Sequence, residues 1–76
     1  MAHSLSKDHD LAIADYSEAI RRDPSFANAY YNRALEFEAL RRREEAIADY
    51  RQVQAIGPNH MKNRAVGALK RLGASP

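Results

Sequence analysis

The sequence predicts an all-α fold, an antiparallel helix–turn–helix repeat stack of about four helices. Three observations carry that expectation. The pentapeptide AIADY stands at residues 12–16 and again at residues 46–50, and Pro24 and Pro58 are separated by the same interval, a period typical of stacked helical units. Apolar residues recur at steps of three and four along most of the chain, as one face of a helix requires. No segment shows the alternating, β-branched pattern of a strand.

The first helix is expected from about Asp8 to Arg22, capped by Ser6 or Asp8, with Ala12, Ile13, Tyr16, Ala19 and Ile20 at helical spacing. Asp23-Pro24 ends it, because a residue before proline is pushed out of the helical region. The second helix is expected from Phe26 to Leu40. Its Tyr30, Ala34 and Phe37 lie on one side, and Asn28, Tyr31, Asn32, Leu35, Glu38 and Ala39 on another. The third, from Glu44 to Ile56, turns Ala46, Ile47, Tyr50, Val53 and Ile56 inward and stops at Gly57-Pro58. The fourth, from His60 to Leu72, has Asn59 as a candidate cap and Gly73 as a stop. It aligns Met61, Ala65, Ala68 and Leu72.

The segment LRRREEAI contains no helix breaker, so helices two and three could fuse into one rod and swap between chains. A tight turn at Arg41-Arg42 is preferred. Arginines suit a helix C-terminus and Glu44 and Glu45 suit an N-terminus, whereas a rod would separate two apolar faces that need each other.

With 76 residues the chain makes one small domain with a thin core. It has no cysteine, which excludes disulfides and thiolate metal sites. No apolar stretch is long enough for a membrane span or a secretory signal, so either the protein is cytoplasmic, which is the expectation, or the chain is a fragment of a longer one. Charge is uneven. Residues 1–40 carry four cations against seven anions, net −3, and residues 41–76 carry eight against three, net +5. The C-terminal half should attract an acidic partner.

The pattern resembles the tetratricopeptide repeat (TPR) family, a helix–turn–helix unit of about 34 residues. One full unit spans residues 27–60, where Tyr30, Ala34, Phe37, Ala46, Tyr50, Val53 and Pro58 stand at family positions. Residues 8–22, with Ala12, Tyr16, Ala19 and then Pro24, match the second helix of a partial unit. Residues 61–73 match a capping helix once two residues are dropped near Asn59. Arg41 stands where the family prefers glycine, Arg43 replaces a usual aromatic, and Lys62 replaces another.

That resemblance implies a protein–protein interaction module that binds a peptide or partner helix through the concave face of its first helices. On this chain the face would be Asn28, Tyr31, Asn32, Leu35, Glu38 and Ala39, joined by Asn63, Arg64, Gly67, Lys70 and Arg71. The expected ligand-binding set is Asn28, Tyr31, Asn32, Leu35, Arg64 and Arg71. Asn32 and Arg64 fall where some members clamp a C-terminal carboxylate, although His60 replaces a lysine of that clamp and its first-unit residues have no counterpart here.

No catalytic, metal or cofactor site is expected. The three histidines, His3, His9 and His60, are never three or four apart, and there is no glycine-rich phosphate loop or nucleophile elbow. Asp15 and Asp49 read as surface carboxylates. Two alternatives to peptide binding remain. One is a homo-oligomerisation unit, most simply a homodimer about a two-fold axis, using the stripe Ala12, Tyr16 and Ala19 that lacks a first helix to cover it. The other is nucleic-acid binding by the basic half, though the Arg41–Arg43 run lacks interleaved aromatics.

Overall fold

The computed structural model describes the backbone of residues 2–74 and the side chains of residues 7–74. Four helices follow one another, α1 (Ala2–Arg22), α2 (Ala27–Ala39), α3 (Arg43–Ile56) and α4 (Asn59–Arg71). Each packs on the next in sequence, α1 on α2, α2 on α3 and α3 on α4, in a body 37 × 30 × 17 Å across. The expected all-α stack is therefore present, and among the described residues there is no strand.

The start of α1 differs from expectation. Residues 2–7 contain neither proline nor glycine, so nothing interrupts the helix, and Ser6 and Asp8 lie inside it rather than capping it. Its end is as expected. Asp23 leaves the helix with its N–H still bonded to the Ala19 carbonyl at 2.9 Å. The Asp23 carboxylate then accepts from the Ser25 N–H at 3.2 Å and the Ser25 hydroxyl at 2.8 Å, which shapes the corner before α2.

Helices two and three are separate, with the break at Arg41. The N–H of Arg41 bonds the Glu38 carbonyl at 2.9 Å and that of Arg42 bonds the Phe37 carbonyl at 2.8 Å. This crossed pair is the Schellman arrangement, which requires a left-handed residue after the helix. Arg41 takes that role with φ of 60°, although a side chain there is costly. The same arrangement ends α4. Gly73 has φ of 78°, its N–H bonds the Lys70 carbonyl at 3.0 Å, and the Ala74 N–H bonds the Leu69 carbonyl at 2.8 Å. The two ends differ in that one uses the residue best suited to the conformation.

The rest of the LRRREEAI segment has structural work inside the fold. The Arg42 guanidinium lies 4.9 Å from the centre of the Phe37 ring and makes two bonds to Glu45, at 2.7 and 2.8 Å. Arg43 donates to the Leu72 carbonyl at 2.8 Å, which satisfies an open carbonyl at the end of α4. Glu44 and Glu45 occupy the first turn of α3, where the helix dipole favours anions.

The core is built from α2, α3 and α4. Ala34, Ala46, Tyr50, Val53, Ala65 and Leu69 are fully enclosed, with Phe37, Ile47, Met61 and Ala68 nearly so. Ala34 and Ala46 let the backbones approach, and Tyr50 fills the space between helices. Two side chains depart from the sequence reading. Ile56, expected inward, is 37% exposed; it is the last residue of α3, beside the Gly57 corner. Leu69 is absent from the expected stripe, yet it is the buried side chain one turn after Ala65. Asn59 is the first residue of α4 rather than its cap. Pro58 holds the cap position, with no side-chain bond. Gly57 is needed at the α3–α4 corner because a Cβ there would stand 2.7 Å from the Val53 carbonyl oxygen.

Two outcomes follow from this architecture. Arg41→Gly should raise stability by about 1 kcal/mol by relieving the left-handed arginine, read as a higher urea midpoint; no gain would mean the turn carries no strain. Tyr50→Ala should cost about 3–5 kcal/mol, enough to unfold most of a domain this size, and a variant that melts like its parent would contradict the α2–α3 pairing.

Candidate functional site

The candidate site lies where α2 and α4 flank the same side of α3. Their proximity is fixed by one contact between residues distant in sequence. The Arg71 guanidinium on α4 grips the Glu38 carboxylate on α2, with Nη1 to Oε1 at 2.5 Å and Nη2 to Oε2 at 3.2 Å. Tyr50 rises from α3 into the same place and donates its hydroxyl to Oε2 of Glu38. Its ring meets that of Tyr31 edge-on, with centroids 5.7 Å apart. An arginine, a glutamate and two tyrosines thus join three helices at the floor of the face.

The charges of this group are coupled. The Arg71 guanidinium holds the Glu38 carboxyl below the usual carboxylate range; burial opposes this and the Tyr50 hydroxyl reinforces it. Burial, then the Glu38 anion, pushes the Tyr50 hydroxyl well above its ordinary value. Glu38 in turn strengthens the proton affinity of Arg71. At neutral pH the trio is a neutral tyrosine hydrogen-bonded to an ion pair.

The expected ligand-binding residues fall on this face with different degrees of access. Asn28 and Leu35 are exposed, Leu35 at 42%, and Tyr31 and Asn32 are half-buried on α2. Arg64 and Arg71 are exposed on α4 and, seven positions apart, share one side of the helix. Arg64 has no ion-pair partner among the described residues, whereas Arg71 is held by Glu38. Arg64, like Lys70, is therefore an open cation of the face, and Arg71 can meet a ligand only by sharing or leaving its carboxylate. The described residues enclose no pocket, so a ligand would lie along the surface.

A second polar group ties the helices together out of sight of that face. Arg33 on α2 donates through Nε and Nη2 to the two oxygens of Asp49 on α3, both at 2.7 Å, and through Nη1 to the Ser17 hydroxyl on α1 at 3.0 Å. Asp49 is 4% exposed, which corrects its reading as a surface carboxylate: α2 packs over it, and only a fork of matched donors makes that burial tolerable. Sequence reasoning missed the pair because nothing marks which of two identical AIADY aspartates is covered. His9 on α1 also meets Glu36 on α2, Nδ1 to Oε1 at 2.5 Å, so two polar contacts join α1 to α2. Among the described residues no three His, Asp or Glu side chains gather as metal ligands, and no helix is long and apolar enough to cross a membrane.

Four helices packed in chain order, with equivalent turns after α2 and α4 and a continuous α2–α4 face, define a helical-repeat module. Comparison with known proteins makes this specific: the chain belongs to the tetratricopeptide repeat family, with a TPR repeat matched over residues 6–40 and a tetratricopeptide repeat over residues 27–60. It is 34% identical over 59 residues to serine/threonine-protein phosphatase T of Aspergillus oryzae, covering 78% of this chain and 12% of that protein. It is 35% identical over 57 residues to small glutamine-rich tetratricopeptide repeat-containing protein 2 of Saccharomyces cerevisiae, covering 75% of this chain and 16% of that protein. A STIP1 homolog of Dictyostelium discoideum is 34% identical over 70 residues, covering 90% of this chain and 12% of its own length. The chain thus spans less than a fifth of the length of these relatives, and the likeness to the phosphatase covers a small part of that larger protein. No solved structure gives a significant match.

The Glu38 cluster has a pH signature. A carboxyl whose value is lower in the folded than in the unfolded chain stabilises the fold above the ordinary glutamate range and loses that contribution as pH falls through its folded value. The urea midpoint should therefore fall on acidification below about pH 4.3, and Glu38→Gln should flatten that fall. An identical acid profile for the variant would show that Glu38 is not linked to folding.

Proposed function

We propose that this protein-interaction module holds an extended acidic peptide, or one with a free C-terminal carboxylate, along the α2–α4 face through Asn28, Tyr31, Asn32, Leu35, Arg64 and Arg71. The observation that carries the reading is Arg64, an exposed cation without a partner among the described residues, on the helix beside the Tyr31 and Leu35 surface. The asparagines can bond a peptide backbone, Tyr31 and Leu35 give apolar contact, and Arg64 supplies a charge-assisted bond to a carboxylate. With Arg71 engaged by Glu38, Arg64 makes the first charged contact. Nucleic-acid binding has less support, because Arg42 and Arg43 are occupied within the fold.

A second reading, self-association, is favoured by a different observation. Ala12, Tyr16 and Ala19 on α1 are only half-buried, and Leu11 is 57% exposed. This apolar stripe is open to a second copy of the chain, as a homodimer requires.

Calorimetric titration with an aspartate-rich peptide, free or amidated at its C-terminus, at two salt concentrations, tests the groove. The parent should bind the free peptide, more weakly in high salt. Arg64→Glu should weaken binding by about ten-fold and reduce the salt dependence. Unchanged affinity would remove Arg64 from the site, and equal binding of a DNA oligonucleotide would favour the basic half as a nucleic-acid surface.

A further inference from the structure

We infer that α4 of one molecule docks on the open stripe of α1 of a second copy, so that the two chains together complete a helix pair and assemble head to tail. The inference deepens the self-association reading and rests on it. Its template is inside the chain. The shift that carries Ala12 onto Ala46 carries α1 onto α3, AIADY onto AIADY. A slightly shorter shift carries α2 onto α4, from Ala27 to Asn59 at their starts and from Arg41 to Gly73 at their left-handed ends. The chain therefore alternates two helix types, and α2–α3 shows how a helix of the α4 type pairs with a helix of the α1 type.

In that template Ala46, Tyr50 and Val53 of α3 are fully covered, with Tyr50 held by Tyr31 and Glu38 of α2. Their counterparts on α1, namely Ala12, Tyr16 and Ala19, stay half-exposed. On the other partner, Ala34 of α2 is fully covered, while its counterpart Val66 on α4 is half-exposed. The two halves of one helix pair thus stand open at opposite ends of the molecule.

The charges match the same register. The template pair is joined by Asp49 and Arg33. The counterpart of Asp49 is Asp15, exposed and without an ion-pair partner among the described residues. The counterpart of Arg33 is Ala65, but Lys62 stands one turn earlier at the place of Tyr30, whose ring lies 5.8 Å from the Arg33 guanidinium. Lys62 also lacks an ion-pair partner among the described residues, and Lys70 stands at the place of Glu38. Docking therefore brings Lys62 and Lys70, on an α4 whose charged residues are all cations, toward an α1 that carries Asp8, Asp10, Asp15 and Glu18 against Lys7, Arg21 and Arg22, with Asp15 left unpaired among the described residues. A two-fold pairing of α1 with α1 would instead bring Asp15 and Glu18 toward their own copies. Because the docked surfaces are different, each docked copy still presents one free surface, and the contact can add further copies.

Sedimentation over a wide concentration range reads the assembly. The average mass of the parent should rise past that of two chains and fall back with added salt. Ala19→Arg blocks the α1 end and Val66→Arg blocks the α4 end. Each alone should be monomeric, and an equal mixture should form a dimer and nothing larger. Circular dichroism checks that both fold. If either does not, the surface pair Asp15→Lys and Lys62→Glu replaces them: each alone should assemble less than the parent, and mixing should restore growth. A Val66→Arg protein that still dimerises by itself would overturn the head-to-tail contact while leaving self-association through α1 standing. A parent that stays monomeric throughout would overturn both.

Discussion

The bond from Arg33 to Asp49 is the constraint on which the other packing depends. It takes a carboxylate that is 4% exposed and gives both its oxygens a donor at 2.7 Å. The third arm of the guanidinium reaches Ser17 at 3.0 Å, so one side chain sets the register of α1, α2 and α3 together. Tyr30 and Phe37 lie against its faces, at 5.8 and 5.6 Å. A buried ion pair of this kind adds little net stability over an apolar substitute, but one partner without the other is strongly unfavourable. Slipping α3 by one turn would strand Asp49, and the thin alanine-rich core alone would resist such a slip only weakly.

Much of the fold was legible because it is written twice. The repeat period, the proline corners and the three-and-four spacing depend on local order, and they place four helices with the turn at Arg41. What the sequence does not show is environment. The two AIADY copies spell the same aspartate, yet Asp15 is exposed and Asp49 is buried, because α2 covers one and no described helix covers the other. Ile56, the last residue of α3, is exposed although its spacing matches the buried stripe: helical spacing names a face, not what covers it.

On α2, periodicity puts Asn28, Tyr31, Asn32 and Leu35 on one side, whereas Arg64 and Arg71 on α4 come from the resemblance to the family rather than from spacing. The pairing of Glu38 with Arg71 was not legible, because a whole helix lies between them in the chain and no local rule links such positions. That pairing also changes how the face presents charge. Two arginines in the sequence become one free cation and one neutralised pair in the structure. Similarly, three consecutive arginines read as a basic patch until Arg42 and Arg43 are seen committing their donors to Glu45 and Leu72.

The Glu38–Arg71 contact makes the face a part of the core as well as a surface. Its carboxylate receives the hydroxyl of Tyr50, the largest fully enclosed side chain. A guest anion that takes Arg71 away from Glu38 leaves a partly buried carboxylate with less compensation, so part of its binding energy goes into loosening the contact between α2, α3 and α4. A guest that uses Arg64 alone leaves the interior untouched and stabilises the fold by mass action. Both modes stabilise the folded chain by mass action, and they differ in how much binding energy is lost to the broken contact; Tyr50, at the junction, registers which of them a ligand has chosen.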